Sequence, residues 1–260
     1  MNMREPSQLG TVTLIGAGPG DPELLTLKAY RALQAAEVVL YDNLVSQEVL
    51  TFIPRNTERI YVGKESSRHS MPQEKIGETL IALARCGRQV VRLKGGDGYI
   101  FGRGGEEAQA LAAADIPFLV IPGITSAQGA AASVGIPLTH RDYARALIFA
   151  TGHLRENKRV DLDWEMLARA NQTVVIYMGI GTLSVISSEL VAHGLSPDTP
   201  AALIERATTK EERCVVGTIK SLPELAIQEQ IKPPALIVIG EVVGLRKTLT
   251  DEALIAAQFA

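Results

Sequence analysis

Short β-branched runs alternate with Ala- and Leu-rich segments of helical spacing along the first half of this chain, and that alternation admits few folds. Thr11–Ile15, Val38–Tyr41, Arg59–Val62, Gln89–Leu93 and Phe118–Ile121 read as strands. Pro22–Ala35, Gln73–Ala84, Gly105–Ala114 and Ser126–Ala132 read as the helices between and after them. Strands alternating with helices build a mostly parallel sheet covered on its faces. In such sheets ligands sit at the carboxyl ends of the strands.

The rhythm then changes. Leu147–Thr151, Thr173–Met178, Ala201–Glu205, Arg213–Ile219 and Leu236–Glu241 read as strands, with helices at Trp164–Ala170 and Leu183–Ala192. Only a short, proline-broken helix fits between the last two strands, so a mixed sheet is expected here. Gly, Pro and charged residues cluster at Gly135–Arg145, which marks a linker. The predicted organisation is a polar leader over 1–10, an α/β domain over 11–140, a second over 141–245 and a tail over 246–260.

Composition removes several function classes. Hydrophobic residues make up 46% and aromatic ones 5%, so the core is built from Val, Ile, Leu and Ala. The net charge of -3 lacks the basic excess of a nucleic-acid binder. An anionic ligand must then be held by a local basic cluster. Cys86 and Cys214 lie far apart, and His69, His140, His153 and His193 lack metal-ligand spacing, so no metal is expected. The first ten residues lack the apolar core of a signal peptide, and no apolar run approaches the ~20 residues of a membrane span. A cytoplasmic protein with no membrane partner is expected.

Three glycine-bearing turns follow predicted strands. Gly16-Ala17-Gly18-Pro19-Gly20-Asp21 suggests a dinucleotide fold, but Asp21 stands where a third glycine is needed and Pro19 has no N–H to offer a pyrophosphate. Asp21 followed by Pro22 is a good helix start. The second stretch, Leu93 to Glu107, holds six glycines in fifteen residues. Asp97 there can bond a ribose or amino group. Arg103 precedes a helix whose first turn carries Glu106 and Glu107, and for Glu107 nothing beyond the helix dipole is expected. The third turn, Pro122-Gly123-Ile124-Thr125-Ser126-Ala127, again opens a helix. Its hydroxyls serve either as a cap or to receive a carboxylate. Thr139-His140-Arg141-Asp142 lacks the asparagine of a kinase catalytic loop.

Read in order, G-A-G-P-G-D, V-V-L-Y-D, V-G-K, R-L-K-G-G-D, G-R-G-G-E-E, P-G-I-T-S, P-L-T-H-R-D, T-G-H-L and Y-M-G resemble the tetrapyrrole methylases, from about Thr11 to Leu245. Each motif alone is weak, and their ordered set is specific. The resemblance implies two α/β domains with the active site in the cleft between them, acting as a homodimer. It implies S-adenosylmethionine as methyl donor, with S-adenosylhomocysteine as product. The branch it is most similar to acts on uroporphyrinogen III, methylating C2 and C7 to give precorrin-2. The donor contacts it implies are Pro19, Gly95, Gly96, Asp97, Ile100, Thr125, Ser126, Met178 and Ala207. Asp42 and Lys64 fall at the positions of a proton acceptor and donor. Arg103, Glu106, Arg141 and His153 fall where relatives hold the tetrapyrrole. Gly98, Tyr99, Arg206 and Ala207 depart from the usual Pro, Phe, Asn and Gly.

The implied chemistry needs alignment and exclusion of water, because a sulfonium methyl is attacked in line by a pyrrole carbon. A proton must then leave the macrocycle, which a positioned base assists. Asp42, Lys64, Arg103 and the substrate's own carboxylates are the candidates. An ordinary arginine is a poor base, so Arg103 is first assigned to substrate carboxylates. Lys64, Lys94, Arg103 and Arg141 are the cations near the glycine-rich loops, while Arg68, Arg145 and Arg155 read as a solvated face.

Three alternatives stay open: a nicotinamide-dependent oxidoreductase with Asp42 on a ribose, a methylase of another precorrin or of diphthine, and a non-catalytic binding module. The short leader and tail leave no room for a second nucleotide-binding domain, so the chain is expected to stop at precorrin-2.

Overall fold

A computed structural model of the chain describes residues 9–63, 71–152 and 160–250. The chain divides between Thr125 and Ser126 into two compact units. The division precedes the Gly135–Arg145 stretch where composition changes, because the helix Ser126–Ser133 packs against a strand of the second sheet.

In the first unit, β1 (Val12–Gly16), β2 (Val38–Tyr41), β3 (Glu58–Tyr61), β4 (Val90–Lys94) and β5 (Phe118–Ile121) form one sheet in the order β3-β2-β4-β1-β5. Every pairing is parallel. The order makes β4, β1 and β5 neighbours, so their carboxyl ends lie side by side.

Side chains alternate between the two faces of this sheet. Val12, Leu14, Val38, Leu40 and Val90 pack on one face with Ile76, Leu80 and Ala84 of α3 (Gln73–Arg85) and Ala108 and Leu111 of α4 (Gly104–Ala113). Ile15, Val39, Val91 and Leu93 pack on the other with α1 (Leu27–Gln34) and α2 (Gln47–Leu50). β4 breaks the apolar pattern. After Val90, its next two positions on the α3–α4 face are Arg92 and Lys94, and both are buried.

The helix expected over Pro22–Ala35 forms in two pieces. A 3-10 turn, Pro22–Leu24, is capped by Asp21, whose carboxylate accepts the Glu23 N–H at 2.8 Å. Leu25 and Thr26 are extended, and Thr26 then caps α1 by accepting the Ala29 N–H at 3.1 Å. A second capping hydroxyl gives the backbone an alternative to continuing the helix. α2, capped by Ser46, was not foreseen.

The second unit contains α5 (Ser126–Ser133), β6 (Ala146–Thr151), α6 (Trp164–Leu167), β7 (Gln172–Tyr177), α7 (Leu183–Ala192), β8 (Pro200–Glu205), β9 (Arg213–Thr218), α8 (Leu222–Gln228), β10 (Ala235–Ile239) and α9 (Arg246–Leu249). The sheet order is β6-β7-β10-β8-β9, and the sheet is mixed, as expected. β6 pairs with β7 in parallel, and β10 is antiparallel to both β7 and β8. β6, β7 and β8 therefore run the same way, and their carboxyl ends share one edge. Leu183, Ile186 and Leu190 of α7 and Leu222 of α8 cover the core face. Among the described residues no helix is long and apolar enough to cross a membrane.

Thr173 on β7 is 0% exposed and its Oγ1 has no hydrogen-bond partner. An unpaired buried hydroxyl costs about 1–3 kcal/mol, and valine keeps the branched shape that a strand favours. Thr173→Val is expected to raise the urea midpoint by an amount worth about 1 kcal/mol. A lower midpoint would show that the hydroxyl is satisfied in solution.

Candidate functional site

The three glycine turns meet at the carboxyl ends of β1, β4 and β5. Ala17 donates to the Lys94 carbonyl at 2.7 Å, and Gly18 and Gly96 exchange N–H···O bonds at 3.1 and 2.7 Å. A Cβ on Gly16 would lie 2.5 Å from the Gly123 nitrogen, and one on Gly123 would lie 2.4 Å from the Gly96 oxygen. These obstacles are backbone atoms, which cannot swing aside as a side chain can. Gly96 also has φ +66°, a left-handed conformation that glycine adopts freely.

Asp97 locks the junction. Its Oδ1 accepts the Tyr99 N–H at 2.8 Å and its Oδ2 accepts the Gly123 N–H at 3.0 Å. The carboxylate thus ties the second turn to the third, which the sequence reading did not foresee. Pro19, Gly95, Gly96, Asp97, Ile100 and Thr125 all belong to this unit and to the loops that follow its strands.

In the second unit, Met178 and Ala207 follow the parallel strands β7 and β8, and so stand at one edge of that sheet. Met178 has φ +54° and is 53% exposed, and Arg206 and Thr208 on either side of Ala207 have φ +47° and +61°. Left-handed non-glycine residues cost energy and gather where the structure serves a ligand. Ser126 opens α5, and Arg141 sits exposed in the tight turn His140–Ala144. Lys64 and His153, together with Arg68 and Arg155, lie outside the described residues.

Asp42 directly follows β2, with its side chain 20% exposed. Its Oδ1 accepts the Leu44 N–H at 3.1 Å, and Gly95 is pressed against Leu44 so closely that a Cβ would lie 2.7 Å away. The loop bearing Asp42 therefore packs directly on the loop bearing the predicted donor contacts.

Beneath Asp42 lies a buried ion cluster. Arg92 Nη2 donates to Asp42 Oδ2 at 2.8 Å, Nε to Glu107 Oε1 at 3.2 Å, and Nη1 to the Leu93 carbonyl at 2.8 Å. Lys94 Nζ donates to the same Glu107 oxygen at 2.9 Å, as does Gln73 Nε2 at 2.9 Å. Glu107 Oε2 is buried without a partner.

Two expectations are corrected here. Glu107 is 1% exposed and serves two buried cations, so it does far more than complement a helix dipole. Lys94 is engaged with Glu107 and is not available to an incoming carboxylate. Burial holds the Lys94 ammonium below its ordinary pKa, Arg92 pushes the same way, and Glu107 opposes both.

Arg103 and Glu106 are brought together, at 2.9 Å for Nε–Oε1 and 2.7 Å for Nη2–Oε2. Both are more than half exposed. The bond to Glu106 raises the Arg103 pKa, and Arg103 lowers that of Glu106. An exposed pair of this kind is worth only about 0–1 kcal/mol, so a carboxylate-bearing ligand can displace Glu106 from the guanidinium. Both residues also line a groove of about 370 Å³ between α3 and α4. Among the described residues no cluster of His, Cys, Asp or Glu is arranged to hold a metal. Burial pushes the Cys214 thiol up to about 11, which disqualifies it as a nucleophile near neutral pH.

One parallel and one mixed α/β unit, with glycine turns at the strand ends of the first, define a class, and comparison with known proteins gives the family. Residues 11–223 match the model of the Tetrapyrrole (Corrin/Porphyrin) Methylases, and the chain belongs to that family. Siroheme synthase of Nitrosospira multiformis is 55% identical over 248 residues, 95% of this chain and 52% of the relative. The chain thus spans about half the length of the curated relatives it matches. Uroporphyrin-III-C-methyltransferase of Thermus thermophilus is 46% identical with a TM-score of 0.79, covering 94% of this chain and 99% of that one. A structure of that enzyme complexed with S-adenyl homocysteine gives 44% identity and a TM-score of 0.78, covering 91% of this chain and 100% of the other.

The junction predicts a sharp contrast between glycines. Gly123→Ala forces a Cβ into backbone and is expected to cost about 1–3 kcal/mol in urea denaturation. Gly105→Ala, in α4 with nothing within 4 Å of its added Cβ, is expected to be neutral or to stabilise by about 0.5–1 kcal/mol. Equal effects at the two sites would contradict the close approach of the turns.

Proposed function

We propose that this chain transfers methyl groups from S-adenosylmethionine to uroporphyrinogen III, at C2 and C7, giving precorrin-2 and two molecules of S-adenosylhomocysteine. The observation that carries the reading is the locked junction of three glycine turns at the carboxyl ends of β1, β4 and β5. It offers backbone at close range with no side chain in the way. Family membership and the relative complexed with S-adenyl homocysteine support it.

In this reading Pro19, Gly95, Gly96, Asp97, Ile100, Thr125, Ser126, Met178 and Ala207 hold the donor. The methyl passes in line from the sulfonium to a pyrrole carbon, so alignment and exclusion of water supply most of the rate. Arg103, freed from Glu106, takes a substrate carboxylate in a bidentate bond, with Arg141 and His153 beside it in role. Asp42 accepts the proton that leaves the alkylated macrocycle, and Lys64 donates one. The chain acts as a homodimer.

Three features argue against a nicotinamide site: Asp21 occupies the third-glycine position, Pro19 lacks an N–H, and Asp42 is bonded to Arg92.

The test is incubation of the full chain with uroporphyrinogen III and S-adenosylmethionine, with mass analysis of the tetrapyrrole. Two added methyls are expected, with two equivalents of S-adenosylhomocysteine released. No methylated product, or methylation only of an already methylated precorrin, would overturn the substrate assignment.

A further inference from the structure

We infer that Glu107 is a positioning residue for proton transfer: through Arg92 it fixes the Asp42 carboxylate that faces the reacting macrocycle. The inference rests on Asp42 being the proton acceptor, as proposed above. In that step the pyrrole carbon gains the methyl as the S–C bond breaks, and the electron pair of that bond stays on the sulfur of S-adenosylhomocysteine. The proton lost from the macrocycle passes to Asp42.

Three observations carry the assignment. The Arg92 guanidinium, with a side chain 3% exposed, is held on three sides, by Asp42 Oδ2, Glu107 Oε1 and the Leu93 carbonyl. A planar guanidinium fixed in this way sets the position of the oxygen it bonds. Next, only Asp42 among the four charged members reaches solvent, with a side chain 20% exposed against 3% for Arg92, 5% for Lys94 and 0% for Glu107. The cluster thus has one exposed end, at the strand edge where the glycine turns meet.

The third observation concerns stability. Apolar side chains in place of a buried ion cluster are often neutral or stabilising, and Glu107 Oε2 is left without a partner. All three donors converge instead on Oε1. Two cations and two carboxylates also balance. Without Glu107, Asp42 alone would face the charges of Arg92 and Lys94, and the guanidinium would lose the anchor that orients it.

The experiment is a double-mutant cycle on the full chain, with kcat and KM measured for both substrates and folding checked by circular dichroism. Glu107→Gln is expected to lower kcat about ten- to hundred-fold, the range for a small misplacement of a reacting group, with KM for S-adenosylmethionine within about two-fold. Arg92→Lys keeps the charge balance, and so the fold, but a point ammonium cannot bridge both carboxylates; the same pattern is expected. Adding either change to Asp42→Asn is expected to slow the enzyme no further, because both act through Asp42.

Losses that multiply fully with that of Asp42→Asn would overturn the positioning role while leaving Asp42 as the base. Near-normal kcat in both single variants, or a loss that only tracks the folded fraction, would overturn it too. Near-normal kcat in Asp42→Asn would remove the base assignment itself, and the positioning role with it.

Discussion

The backbone contact of Gly16, Gly96 and Gly123 governs the first unit of this protein. Three turns, from three neighbouring strands, approach so closely that a Cβ on Gly16 or Gly123 would lie 2.5 or 2.4 Å from backbone atoms. The parallel order β4-β1-β5 brings them side by side, and the Asp97 carboxylate ties the second to the third. Gly16 and Gly96 are buried in this packing, and Gly123 is partly exposed. In the proposed function this edge takes the adenosyl donor.

The second constraint is electrostatic. β4 is buried on both faces, yet it carries Arg92 and Lys94 on the face covered by α3 and α4. Buried cations persist only when paired and hydrogen-bonded, and Glu107 from the first turn of α4 meets that need. The helix register is thereby tied to the strand register. Asp42, at the outer end of the same network, inherits a fixed position from the core. The core and Asp42, a residue of the proposed site, are thus linked through one carboxylate that the family resemblance did not single out.

Much of this was legible in the sequence, for reasons that are local. The five strands of the first unit follow from β-branched runs, and the parallel sheet from their alternation with helices. The second sheet reads as mixed from the short segment between its last two strands, but β9 and β10, joined by α8, run the same way, and the antiparallel pairs are β8 with β9 and β10 with β7 and β8. Asp21 reads as a cap, and it is one. What failed were the contacts set by partners distant in sequence. Lys94 reads as a cation for an anionic ligand and Glu107 as a helix-dipole acid, and their pairing across thirteen residues depends on α4 lying over β4. One signal was available: cations at alternate positions of a strand otherwise apolar enough to be buried on both sides, followed by a helix with acids in its first turn. Asp97 reads as a ligand contact, and its further bonds to the Tyr99 and Gly123 N–H groups are set by the fold and not by the local sequence.

The central claim is that the junction of the three glycine turns holds the adenosyl donor. Amide hydrogen exchange, followed by mass spectrometry with and without S-adenosylhomocysteine, tests it most directly. Peptides spanning Gly16–Asp21, Gly95–Ile100 and Pro122–Thr125 are expected to gain protection together, while α8 and β9 stay unchanged. Protection confined to other segments, with all three turns unaffected at saturating ligand, would contradict the claim.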